Sequence, residues 1–81
     1  MYDISFDLYS LYKDLKTYLE EELSKYENSI EHYKEKIKNL PRESPEYEEA
    51  VVNLYEIKGI YKELKNILCF LEELEKKYLY N

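Results

Sequence analysis

The side chains able to do chemistry in this 81-residue chain are few, and their spacing does not gather them. His32 is the only histidine and Cys69 the only cysteine. A histidine-based triad needs a nucleophile and an acid oriented around the ring. His32 instead falls on the outward side of a helical repeat. Cys69 falls on the back of a second helix, three residues from Glu72, with no histidine near it in sequence. The spacing favours a surface imidazole and a thiol half-covered by a partner, behaving as a small apolar group. One cysteine also excludes an internal disulfide and a cysteine metal cluster. Carboxylates are plentiful, at Glu20, Glu21, Glu22, Glu27, Glu31 and Glu35. A di-iron bundle places Glu-x-x-His motifs on inward faces. No glutamate here has a histidine three residues later, and most of these carboxylates face outward. The single glycine rules out a glycine-rich phosphate loop. The sequence predicts no enzyme, no metal, no cofactor and no small-molecule ligand.

The elements that hold these side chains are two long helices. The first apolar stripe includes Leu8, Leu11, Tyr12, Leu15, Tyr18, Leu19, Leu23, Tyr26, Ile30, Tyr33, Ile37 and Leu40. Steps of three and four give a helical period. From Leu19 onward they alternate as a heptad, with an extra step of four between Leu15 and Leu23. The second stripe runs Tyr47, Ala50, Leu54, Ile57, Tyr61, Leu64, Leu68, Leu71 and Tyr78, broken at Glu75, where Leu74 can cover the gap. Between them lies Leu40-Pro41-Arg42-Glu43-Ser44-Pro45. Pro41 restricts the residue before it, ending the first helix. Ser44 can cap the second, with Pro45 at its first position and acidic residues in its first turn. The chain reads as one all-α domain over 1–81: an antiparallel, coiled-coil-like helical hairpin with a helix at about 5–39, a turn at 40–44 and a helix at about 45–79. Folding at the turn pairs Ile37 with Ala50, Ile30 with Ile57, Leu19 with Leu68 and Leu15 with Leu71. Glu21-Lys25, Glu72-Lys76 and Glu73-Lys77 have the spacing of helical ion pairs.

Twelve basic residues against eighteen acidic ones give a formal charge of -6. A duplex nucleic-acid binder needs a basic stripe, and an anionic membrane attracts cations, so neither partner fits. No apolar run reaches the length that spans a bilayer. The Met1-Tyr2-Asp3-Ile4-Ser5 start lacks the basic-then-apolar pattern of a signal peptide. The expectation is a cytoplasmic protein. Its many charges and few amides also match the profile of proteins from hot environments.

The apolar surface exceeds what one hairpin shelters. At the open end the first helix adds Leu11 and Tyr18 beside Leu15, while the second adds Ile60, Ile67 and Leu74, with Phe70 alongside. Two helices have one facing seam, so a second apolar row meets water unless something covers it. These seven residues are therefore predicted to mediate self-association, as a homodimer forming a four-helix bundle. Tyrosine gives a large contact area for few frozen torsions. Tyr9 and Tyr55, with Tyr2 and Tyr80 at the ends, lie off the seam. Tyr9, Tyr55 and the acidic run Glu20, Glu21 and Glu22 are the candidates for binding a protein partner.

The leading functional reading is a non-catalytic protein-protein interaction module. Two alternatives remain open on sequence. One is a small acidic regulator or inhibitor of a nucleic-acid-binding protein or enzyme, using Glu20–Glu22 and the Glu43, Glu46, Glu48, Glu49 cluster. The other is an RNA-binding hairpin dimer using Lys58, Lys62 and Lys65.

Overall fold

Two prolines and a serine set the architecture. In the computed structural model, α1 (Ile4–Asn39) ends just before Pro41 and α2 (Pro45–Tyr78) begins on the second proline. The structure describes the backbone of residues 4–78 and the side chains of residues 8–78. Tyr2, Tyr80 and the terminal Leu79-Tyr80-Asn81 run lie outside the described residues.

The turn satisfies its own polar groups. The Leu40 N–H bonds the Ile37 carbonyl at 3.4 Å, taking up one acceptor that the helix end leaves open. Asn39 Nδ2 donates to the Glu35 carbonyl at 3.1 Å. Ser44 Oγ accepts from the Tyr47 N–H at 3.2 Å and donates to the Pro41 carbonyl at 2.7 Å. One hydroxyl thus caps α2 and ties it to the preceding loop, an arrangement worth about 1 kcal/mol for the cap alone. Lys36 and Lys38 in the last turn of α1, and Glu46 and Glu48 in the first turn of α2, complement the helix dipoles.

The two helices pack along their whole length as the expected all-α hairpin. The result is a rod of 64 × 20 × 14 Å with a radius of gyration of 18.4 Å. A globule of this length would have a radius near 12 Å. A rod has no interior layer, and among the described residues only Leu19, Ile30 and Ala50 are buried. The seam residues between the two ends of the rod are half-buried, their other sides meeting solvent, while Tyr78 at the end of the second stripe is 66% exposed.

The seam departs from the sequence reading at its open end, where Leu8, Leu15 and Tyr78 are all exposed. The apolar stripe leads from Leu19 to Leu15, and Leu15 was expected opposite Leu71. The structure leaves Leu15 42% exposed and turns Lys16 and Tyr12 inward instead. The cause is phase. Two helices packed over many turns must keep a common repeat. On α2 the positions Tyr61, Leu64, Leu68, Leu71 and Glu75 alternate in steps of three and four without interruption, and all are half-buried. α1 therefore keeps the same spacing, and the leucine stripe rotates out of the interface. The methylene stem of Lys16 replaces the leucine beneath it while its ammonium reaches water.

Ion pairing also shifts by one residue. Lys25 Nζ sits 3.1 Å from Glu22 Oε1, so it takes the neighbour at three residues and not Glu21 at four. That hydrogen bond holds the Lys25 ammonium above its usual pKa. Lys34 approaches Glu31 at 3.9 Å. Exposed pairs of this kind contribute a few tenths of a kcal/mol and do not select the fold.

Gly59 stands inside α2 at an outward position, where an added methyl group would meet nothing within 4 Å. Its backbone is ordinary helix with no positive φ. Gly59→Ala is expected to stabilise the hairpin by up to about 1 kcal/mol, read as a higher urea midpoint at unchanged slope. A lower midpoint would mean that something else occupies the space over Gly59.

Candidate interaction surface

Each residue of an α-helix is turned by about 100° from the one before. When two helices run antiparallel with their seams face to face, the residues just before seam positions lie on the same side of the rod. On α1 these are Leu11, Leu15 and Tyr18, which precede Tyr12, Lys16 and Leu19. On α2 they are Ile60, Ile67, Phe70 and Leu74, which precede Tyr61, Leu68, Leu71 and Glu75. The fold thus gathers all seven of the predicted self-association residues onto one side.

Their exposure is high. Leu11 is 64% exposed, Tyr18 57% and Phe70 60%, with Ile60 and Ile67 at 42% and 48%. Leu74 is half-buried. Leu8, at 56%, continues the same row toward the open end. The sequence stripe contained Leu8, yet only the structure shows it facing out beside Leu11. The apolar strip occupies the half of the rod away from the turn, with Ile60 reaching toward the middle.

The outermost layer of the seam beneath this strip is polar. The Tyr12 hydroxyl is turned away from water and faces the Glu75 carboxylate. Burial pushes its pKa up, and the nearby Glu75 carboxylate pushes it further. Lys16 is held above its usual pKa chiefly by Tyr12, with Glu75, Glu72 and Glu20 acting the same way and burial opposing. Tyr12 and Glu75 are therefore neighbours across the hairpin. This is the register expected if Ile37 faces Ala50 at the turn, so no slip accumulates along the rod. Lys16 and Glu75 stand where the rest of the seam is mostly apolar, so the open end of the seam is its weaker half.

The partner-binding candidates scatter. Tyr9 is 41% exposed at the open end of the α1 seam, and Tyr55, at 71%, points to the side opposite the apolar strip. Glu20 and Glu21 are exposed, while Glu22 is half-buried and bonded to Lys25. Because consecutive helical residues diverge by about 100°, these three carboxylates face three directions. Val52 is 50% exposed on the back of α2. Its adjacency to Val51 was the available signal, since two consecutive residues cannot both enter one seam.

The groups considered for catalysis stay apart. His32 is exposed and edge-on to Tyr33 at 5.4 Å between ring centroids. Cys69 is a free, exposed thiol, not half-covered within the single chain. Among the described residues, no three metal-ligating side chains cluster. No helix among the described residues is long and apolar enough to cross a membrane. Comparison with protein-family profiles, with curated proteins and with solved structures finds no match to this chain.

Proposed function

We propose that this chain is a non-catalytic helical-hairpin module of the cytoplasm that pairs with a second copy through its open-end apolar strip and uses its remaining surface to bind a protein partner. The observation that carries the reading is the exposed row Leu8, Leu11, Leu15 and Tyr18 lying on the same side as Ile67 and Phe70. Covering an exposed Leu, Ile or Phe is worth roughly 1.5–3 kcal/mol when complete. Several together supply enough to offset the freedom lost on association. A second hairpin laid on this strip makes a four-helix bundle, in which the row has an interior to enter.

Sedimentation equilibrium at micromolar concentration tests this. The expected species has twice the 10.0 kDa mass of one chain. A fully helical species that stays at 10.0 kDa across the concentration range overturns the pairing.

The RNA reading gains little from the fold. Lys58, Lys62 and Lys65 are exposed on α2. In the register set by Tyr12 and Glu75, Lys58 stands at a height between Glu27 and Glu31 of α1, and Lys65 at one between Glu20 and Ser24. Carboxylates therefore share the side on which a phosphate chain would lie, and they oppose it.

A further inference from the structure

From the charge pattern beside the strip we infer how the second copy is placed: the two hairpins lie with their turns at the same end, α1 of each facing α2 of the other. This rests on the self-association proposed above and assigns its geometry. The strip side continues past the apolar half toward the turn. There α1 presents Lys25, His32 and Lys36, all exposed, with uncharged Ser29 between the first two and Asn39 beyond the last. It carries no acid on this side beyond Glu22, which is already bonded to Lys25 at 3.1 Å. Over the same stretch α2 presents Glu46, Glu49, Glu56 and Glu63, all exposed, and no base. Positive charge is thus confined to one edge of this side and negative charge to the other.

A twofold axis parallel to the rods sets each α1 against the partner's α2 at the same height. Leu11, Leu15 and Tyr18 then meet the partner's Leu74, Phe70 and Ile67, apolar against apolar. Nearer the turn, each basic edge meets an acidic edge. A twofold axis across the rods does the opposite. It sets α1 on α1 and α2 on α2, with the turns at opposite ends. Full overlap then lays the glutamates of α2 over the partner's isoleucines and phenylalanine, where charge loses its hydration. A short overlap leaves the acidic and basic edges without partners. Only the first arrangement matches both halves of the surface.

Pulsed dipolar spectroscopy on the full chain reads the orientation. A single spin label is attached at the turn by Arg42→Cys in a Cys69→Ser background, and the mass is followed in parallel. Adjacent rods with turns together place the labels within roughly 30 Å, since packed helix axes are about 10 Å apart and the labels add their own reach. Turns at opposite ends separate them by roughly 50 Å or more, at 1.5 Å per residue. The long distance in a two-chain species overturns the orientation while leaving self-association standing. A one-chain species with no coupling between labels overturns both. Charge reversal gives an independent check. Lys25→Glu with Lys36→Glu, and separately Glu56→Lys with Glu63→Lys, should each weaken the homodimer roughly tenfold or more, because like charges then face each other. Mixing the two variants should restore the two-chain mass. Homodimers of undiminished strength would remove the charged edges from the interface.

Discussion

Placing glutamate at both Ile60 and Ile67 is expected to leave the hairpin folded and return it to a single 10.0 kDa chain. In one hairpin these side chains are 42% and 48% exposed, so a carboxylate at either position finds water and the helical signal stays unchanged. Beneath a second copy the carboxylate at position 67 meets Tyr18 and loses its hydration without gaining a cation. Even a net penalty of about 3 kcal/mol weakens pairing roughly a hundredfold, since each 1.4 kcal/mol is tenfold. Sedimentation and circular dichroism together decide the outcome. Two-chain mass with full helicity would place the interface elsewhere, and loss of helicity would show that these isoleucines support the hairpin itself.

The second large effect lies in the seam, where Leu19 and Leu15 make a matched pair four residues apart. Leu19 is 4% exposed and Leu15 42%. Leu19→Ala should lower the stability of the single hairpin by roughly 2–5 kcal/mol, the range for a truncated buried leucine. Leu15→Ala should change it by well under half of that and act instead on assembly. The comparison belongs in the Ile60→Glu, Ile67→Glu background, where pairing does not contribute. Urea unfolding followed by circular dichroism gives both values. Equal losses at the two positions would mean that α1 packs through the leucine stripe after all, with Lys16 rotated out.

Much of the hairpin was legible because its signals are local and redundant. Pro41 stops a helix, Ser44 and Pro45 start one, and two stripes of like length flank them. The phase of α1 near its open end was not legible, because two apolar stripes lie side by side there. Leu8, Leu11, Leu15 and Tyr18 make one, while Tyr12 and Leu19 belong to the other. Hydrophobicity favours the first, since the second must include Lys16. The choice belongs to α2, whose unbroken spacing forces α1 to stay in step. That is a tertiary constraint, and no window on α1 alone contains it. The same shift explains the surface strip. The leucines expelled from the seam are the ones left facing out, so the misread core position and the candidate interface have one origin. The acidic run Glu20, Glu21 and Glu22 does not make a single patch, because adjacency in sequence separates side chains around a helix.

The unequal halves of the rod have a kinetic corollary. Joining Ile37 to Ala50 closes a loop of only about a dozen residues, whereas joining Tyr12 to Glu75 must close one about five times longer, and closure entropy rises with length. The hairpin should therefore zip from the prolines outward, its far layer clasping last. That last layer is also where Lys16 stands in for leucine and the Tyr12 phenol meets the Glu75 carboxylate. The end of the rod that closes latest and holds most loosely is the one carrying the apolar strip, so docking of a neighbour would act as a latch on an otherwise fraying mouth.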